Sequence, residues 1–129
     1  MLAARTPHPP DPPARGTPLS PDADVLIIAK HFGVDPHLIQ AVVRAEGNIL
    51  KAVQCSIPSI TTRAEALQIT CRSAIHALCD WTKAGAQGGP EGFVQFWAAR
   101  WAPQGAANDP QGLNAHWPTN VTRLWLEGT

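Results

Sequence analysis

An excess of charge of one sign is the first thing this sequence lacks: ten Lys plus Arg stand against ten Asp plus Glu in 129 residues. Proteins that hold nucleic acid through its phosphates normally carry a basic surplus, so the balance argues against that class. Long apolar runs are missing too. No stretch approaches the roughly 20 apolar residues that span a bilayer, so no membrane span is expected. A secretory leader is not legible either, because after Met1-Leu2-Ala3-Ala4 the chain turns to prolines where an apolar centre would stand. The expectation is synthesis in the cytoplasm without a signal peptide.

Cysteine is scarce. Cys55, Cys71 and Cys79 cannot all pair with one another, and their spacing of sixteen and then eight positions fits no zinc signature. Cys71 and Cys79 fall in one expected helix, too far apart along it to bridge. They read as buried thiols acting as small hydrophobes. The five histidines (His8, His31, His37, His76 and His116) share no spacing that would build a metal site. His31 and His37, flanking Gly33, are expected to face solvent. Neither a metal nor a cofactor is expected.

Proline, by contrast, is abundant at one end. Seven of the thirteen prolines fall within residues 7–21, "PHPPDPPARGTPLSP". Such a stretch lacks backbone donors and apolar side chains, so it cannot recover the entropy lost on folding. Residues 1–19 read as a disordered tail, a tether that could also dock on a particle or a protein partner. Residues 20–129 read as one mainly α-helical domain with little or no sheet.

Helix signals then follow in order. Ser20 suits a cap and Pro21 a first helical position, ahead of Val25, Ile28, Ala29 and Phe32 on one face, with Gly33 as the stop. Asp35 and Pro36 start a second helix whose stripe of Ile39, Val42 and Val43 continues to Glu46, with Gly47 and Asn48 closing it. Residues 48–61 fit a short strand or a turn of helix, then a loop around Pro58. Thr62 and Glu65 form a capping box for the longest helix, about residues 62–84, striped by Leu67, Cys71, Ala74, Leu78 and Trp81. Pro90 opens a helix carrying Phe93, Phe96, Trp97 and Trp101. A turn-rich segment reads as irregular loop, and a short last helix carries Val121, Leu124 and Trp125. The count is about five helices.

Glu46 is the most informative position. A carboxylate placed where an apolar stripe should continue is either partly buried or sits at a fraying helix end, paired there with Lys51. Partial burial disfavours a carboxyl's charged form, which suits an acid that must hold a proton for a leaving oxygen near neutral pH. All five tryptophans lie between Trp81 and Trp125, and there is no tyrosine. Trp faces stack on sugars, and they equally fill the core of a small helical domain. Trp81, Trp97 and Trp125 are expected in the core. Trp101 and Trp117 are candidates for a cleft, with Gln54, Asn108 and Asn114 as amides able to bond acetamido groups or to serve as ordinary loop residues.

The segment "HFGVDPHLIQAVVRAEGN" resembles the opening motif of the lysozyme-like lytic transglycosylases. There, a short helix, a glycine turn and an Asp-Pro lead into an apolar helix ending on the catalytic Glu. The resemblance implies a lysozyme-like domain, a peptidoglycan glycan strand as substrate and Glu46 as the acid. Gly47-Asn48 stand where that family usually has Ser and a small or polar residue. Ala52-Val53-Gln54 echoes the family's Gly-Leu-Met-Gln type segment, with most of the hairpin lobe that normally lies between the two missing. The later segment "FWAARWAPQGAANDPQGLNAHWPTNV" resembles a stretch of small phage and prophage lysozyme-like proteins, which implies virion association or release to the cell wall. A retaining hydrolase would need a second carboxylate about 5 Å away, and an inverting one about 6.5–9.5 Å away. Asp109 is the one candidate, and it also suits a turn before Pro110. A single acid favours the transglycosylase route.

Two rival readings stand beside this one. A lysozyme-like frame without catalysis would serve as a glycan-binding or phage structural module. Alternatively, the helices flanking "FGVDP" resemble a helix-turn-helix, whose second helix would offer His37, Gln40 and Arg44 to DNA base edges.

Overall fold

The computed structural model describes residues 20–103 and 113–127. The expectations for the tail (1–19) and for Asn108 and Asp109 lie outside the described residues. Within them the chain is mainly helical, with six α-helices, one short 3₁₀ turn and no strand. The helices are α1 (Ala23–Phe32), α2 (Pro36–Glu46), α3 (Ile49–Gln54), α4 (Arg63–Lys83), α5 (Gly89–Trp101) and α6 (Trp117–Leu126), with the 3₁₀ turn at Leu113–His116. The sixth helix, beyond the five expected, is α3, which resolves the ambiguous stretch after Glu46 as helix and not strand.

Helix α2 is the central element. Every residue from Leu38 to Val43 is buried, and α1, α3, α4 and α6 all pack on it. Its start is the one the sequence signals: Asp35 accepts from the His37 backbone N–H at 2.9 Å, and Pro36 occupies the first helical position. At its far end Gly47 adopts a positive φ of 76°, a conformation that favours glycine. Asn48 then caps α3 at once, its side chain accepting from the Lys51 N–H. This two-residue joint brings α3 directly beside Glu46.

Helix α4 forms a long brace against α1, α3 and α5. Its capping box is complete, with the Thr62 hydroxyl accepting from the Glu65 N–H and the Glu65 carboxylate accepting from the Thr62 N–H. The start of α1 differs from expectation. Asp22, not Ser20, holds the cap position, and its side chain makes no cap bond. Its backbone N–H donates instead to the Gln40 side chain at 2.9 Å, and its carboxylate takes Arg63 at 2.9 Å. A tertiary tie outweighs the local cap. No helix among the described residues is long and apolar enough to cross a membrane.

The core joins Val25 and Ala29 of α1 to the α2 stripe, Leu67, Cys71 and Leu78 of α4, Phe93 and Trp97 of α5, and Val121 and Trp125 of α6. Trp81, Trp97 and Trp125 are buried as expected. Burial also pushes the Cys71 thiol up to about 12, so it stays protonated and inert. Cys55, just past the end of α3, is exposed, and Cys79 is half-buried, so only Cys71 is the buried thiol expected.

Candidate functional site

Five buried or half-buried indoles bring five N–H donors that need acceptors. Trp81 donates to the Gln87 carbonyl at 3.2 Å, and Trp97 to the Ser73 hydroxyl at 2.9 Å. Trp125 donates to Asp35 Oδ2 at 3.0 Å. The remaining two converge on one atom. Trp101 donates to Glu46 Oε2 at 2.7 Å and Trp117 donates to the same oxygen at 2.9 Å.

Glu46 therefore sits neither free at a frayed helix end nor paired with Lys51. The last turn of α2 delivers it to a point between the end of α5 and the start of α6, half-buried, with one carboxylate oxygen doubly engaged. No donor among the described residues reaches Oε1. The carboxylate lines a cavity of about 380 Å³, within the roughly 300–1,000 Å³ of ordinary ligand pockets. Ala52, Val53 and Ile57 form one wall, Ile69 and Ser73 of α4 another, and Arg100, Trp101 and Asn114 close the side toward α5 and the 3₁₀ turn. Cys55 and Ser56 stand at its exposed margin. Helix α3 and the loop after it thus supply the wall beside Glu46.

The site residues expected from sequence divide. Glu46, Trp101 and Asn114 meet at the cavity. Asn114 also donates to the Pro103 carbonyl at 3.0 Å, which holds the 3₁₀ turn against the end of α5. Trp117 is only 6% exposed, so it touches the site through its N–H and has no face open to a ligand. Gln54 points elsewhere: its amide donates to the Ile60 carbonyl at 2.8 Å and pins the loop. Ser73, Arg100, Cys55 and Ile57 were not foreseen. Arg100 adjoins Trp101 in "FWAARW", a usable signal, whereas Ser73 lies on α4 with nothing local to mark it.

Arg100 is held in place from two sides. Its Nη1 bonds Asp80 Oδ2 at 2.7 Å, and its guanidinium lies 4.9 Å over the Phe96 ring. The Arg100 hydrogen bond keeps the Asp80 carboxyl below its ordinary range. Asp80 does not line the cavity, so among the described residues Glu46 is its one carboxylate. No group of three or more His, Cys, Asp or Glu among them is placed to hold a metal ion.

Compared with family models, curated proteins and solved structures, the chain matches none. The chemistry of the cavity must be read from its own groups. Those are one carboxylate fixed by a single oxygen, an indole edge, a serine hydroxyl, an anchored guanidinium and an amide. They offer a polar ligand hydrogen-bonding groups of both kinds, with Glu46 Oε1 the carboxyl oxygen that no described donor takes. Of the three α2 residues named for DNA contact, Gln40 is 3% exposed with its amide committed to Asp22, His37 is half-buried and Arg44 is exposed.

A second, shallower depression of about 690 Å³ lies on the other side of the Glu46–Gly47 turn, lined by Asp22, Arg44, Arg63, Asn120 and Arg123 among others. Arg63 is paired there with Asp22 and Asp24, and Arg123 lies 3.5 Å from Glu127. Arg44, exposed, has no ion pair among the described residues.

Proposed function

We propose that the chain is a peptidoglycan-cleaving glycosidase of the lytic transglycosylase or lysozyme-like kind, acting on the MurNAc–GlcNAc strand with Glu46 as general acid and base. The supporting observation is the split carboxylate: Oε2 held by two indole N–H groups, Oε1 left to the cavity. An indole N–H only donates, so Oε2 is an acceptor whether Glu46 is ionised or not. The proton of the neutral acid then resides on Oε1, where a ligand can receive it.

The reaction follows from that placement. Oε1–H gives its proton to the glycosidic oxygen, the C1–O bond breaks, and its electron pair leaves with that oxygen. The sugar carries oxocarbenium character at C1. Glu46, now a carboxylate, takes the proton of the sugar's own 6-hydroxyl at Oε1 as O6 closes on C1. The product is an anhydro sugar, and the acid is restored. A hydrolase with two carboxylates would need a second one at about 5 Å or about 6.5–9.5 Å. Among the described residues none lines the cavity, and the intramolecular hydroxyl route needs none.

One observation favours a second reading, glycan binding without turnover. The cavity is near the small end of the ligand-pocket range, with α3 and its loop in place of the hairpin lobe that the resembling family carries. Digestion of purified peptidoglycan by the protein and by Glu46→Gln, with products resolved by mass, decides between the two. Anhydro-muropeptides from the first and none from the second support transglycosylation by Glu46. Reducing-end products indicate hydrolysis. Strand binding without any release leaves the binding module.

A further inference from the structure

Trp97, Trp101 and Trp117 form one continuous cluster between α5 and α6. Their ring centroids lie 5.8 Å (Trp97–Trp101), 5.6 Å (Trp97–Trp117) and 6.5 Å (Trp101–Trp117) apart. Trp97 and Trp117 are buried, so neither can offer a face to a sugar. What the cluster offers is its N–H groups, and all three go to residues that line the cavity: two to Glu46 and one to Ser73.

Each bond fixes a polarity. Because indole cannot accept, the atom it holds must accept. For Glu46 the remaining capacity is Oε1. Among the described residues the Ser73 hydroxyl makes one hydrogen bond, the one it accepts from Trp97, so its own O–H remains to be donated.

We infer that the three indoles are a positioning device that sets the hydrogen-bond polarity of the cavity. Trp101 and Trp117 are positioning residues for Glu46, Trp97 is one for Ser73, and the Ser73 hydroxyl is a ligand contact. The Ser73 Oγ–H is left to the ligand as a donor, and Glu46 Oε1 is the carboxyl oxygen left to it, a donor where it carries the acid proton of the proposed reaction. The group recognised at Ser73 is an acceptor oxygen, such as an ether bridge or an amide carbonyl. That Glu46 holds a proton at Oε1 rests on the glycosidase reading; the indole bonds to Oε2 and the polarity of Ser73 do not.

The test uses the full chain with ¹⁵N-labelled tryptophan and, as probe, soluble glycan-strand fragments. Trp117 is replaced by 3-benzothienylalanine, which keeps the bicyclic shape and puts sulfur in place of N–H. Trp101→Phe repeats the comparison if that protein does not fold. A misplaced acid commonly loses about 10²-fold in rate, so kcat should fall by about that factor while KM stays within about twofold. Ser73→Ala should do the reverse, raising KM with kcat nearly unchanged. In the spectra, Glu46→Gln should move the Trp101 and Trp117 indole signals together and leave those of Trp81 and Trp125 in place. An unchanged kcat in a folded benzothienyl protein overturns the inference, since shape alone would then suffice. If the natural chain shows no turnover, the glycosidase reading falls and the spectra decide. Joint movement of the two signals in Glu46→Gln, with weaker probe binding by Ser73→Ala, upholds the positioning role. Independent signals, or unchanged binding by Ser73→Ala, overturn it.

Discussion

The two ends of α2 carry the same pairing and put it to different use. At the start, Asp35 Oδ2 takes the Trp125 indole at 3.0 Å, while Oδ1 takes the His37 backbone N–H at 2.9 Å and lies 3.4 Å from the His37 ring. Both oxygens are spent, on a cap and on a buried ring. At the finish, Glu46 concentrates both of its indoles on Oε2 and keeps Oε1 uncommitted at a cavity. An indole–carboxylate bond is thus a structural tie where both oxygens are engaged and, under the proposed function, an anchor for an acid where one is not. Distribution of the donors, more than their number, separates the two.

The largest expected effect breaks the pair apart on turnover. General acid–base groups contribute typically about 10²–10⁴-fold, so Glu46→Gln should abolish glycan cleavage to at least about that extent. The substituted amide still offers an oxygen to both indoles, so the protein should remain folded. Asp35→Asn keeps one acceptor oxygen where two donors need it, so it loosens the cap or the Trp125 bond, yet its cleavage rate should stay within about threefold, since it lies at the far end of α2. A comparable loss in both variants, measured on the same peptidoglycan preparation, would mean that Glu46 acts through the fold.

Stability should rank them the other way. Asp35→Ala removes the α2 cap, worth about 0.5–2 kcal/mol, and strands the fully buried Trp125 donor at about 1–3 kcal/mol. A total cost of about 2–4 kcal/mol is expected from urea unfolding. Glu46→Ala strands chiefly the Trp117 donor and should cost about 1–3 kcal/mol, with Glu46→Gln within about 1 kcal/mol of the natural chain. Equal costs for Glu46→Ala and Glu46→Gln would show that the indoles do not depend on that oxygen.

The two ends also differ in how far the sequence reveals them. Asp35-Pro36, Gly33 and the Thr62/Glu65 box are signals within a few residues, and the helices begin and stop where they predict. Glu46 stands out locally as a carboxylate in an apolar register. Its partners do not, because they lie 55 and 71 positions further on. Nothing near Trp117 tells that its ring is buried and only its N–H reaches the site. Helix α3 stayed open between a short strand and a turn of helix for a different reason: six residues are too few for periodicity to separate the two. The displaced start of α1 shows the converse, a local cap signal at Ser20 overruled when Gln40, eighteen residues away, captures the Asp22 N–H.

The smallest expected effect concerns carboxylates that are paired in the open. Asp22 and Asp24 share Arg63 at 2.9 and 2.7 Å, and the Asp24 side chain is 43% exposed. The Arg63 hydrogen bond, with its charge, outweighs burial and holds the Asp24 carboxyl below its ordinary value of 3.8. A lowered folded value means the pair stabilises the fold above the unfolded value, and that its contribution fades as pH falls through the folded one. Exposed pairs are screened, so Arg63→Gln should cost only about 0.2–1 kcal/mol at neutral pH. The gap from the natural chain should close as pH drops below the ordinary carboxyl range, and shrink at about 0.5 M salt, where the screening length is only a few ångströms. Because Trp125 and Asp35 meet in the interior, the deficit of Asp35→Ala should persist at that salt concentration. If both deficits fade alike with salt, the Asp35 tie is an ordinary surface charge effect, and the contrast between the ends of α2 loses its structural half.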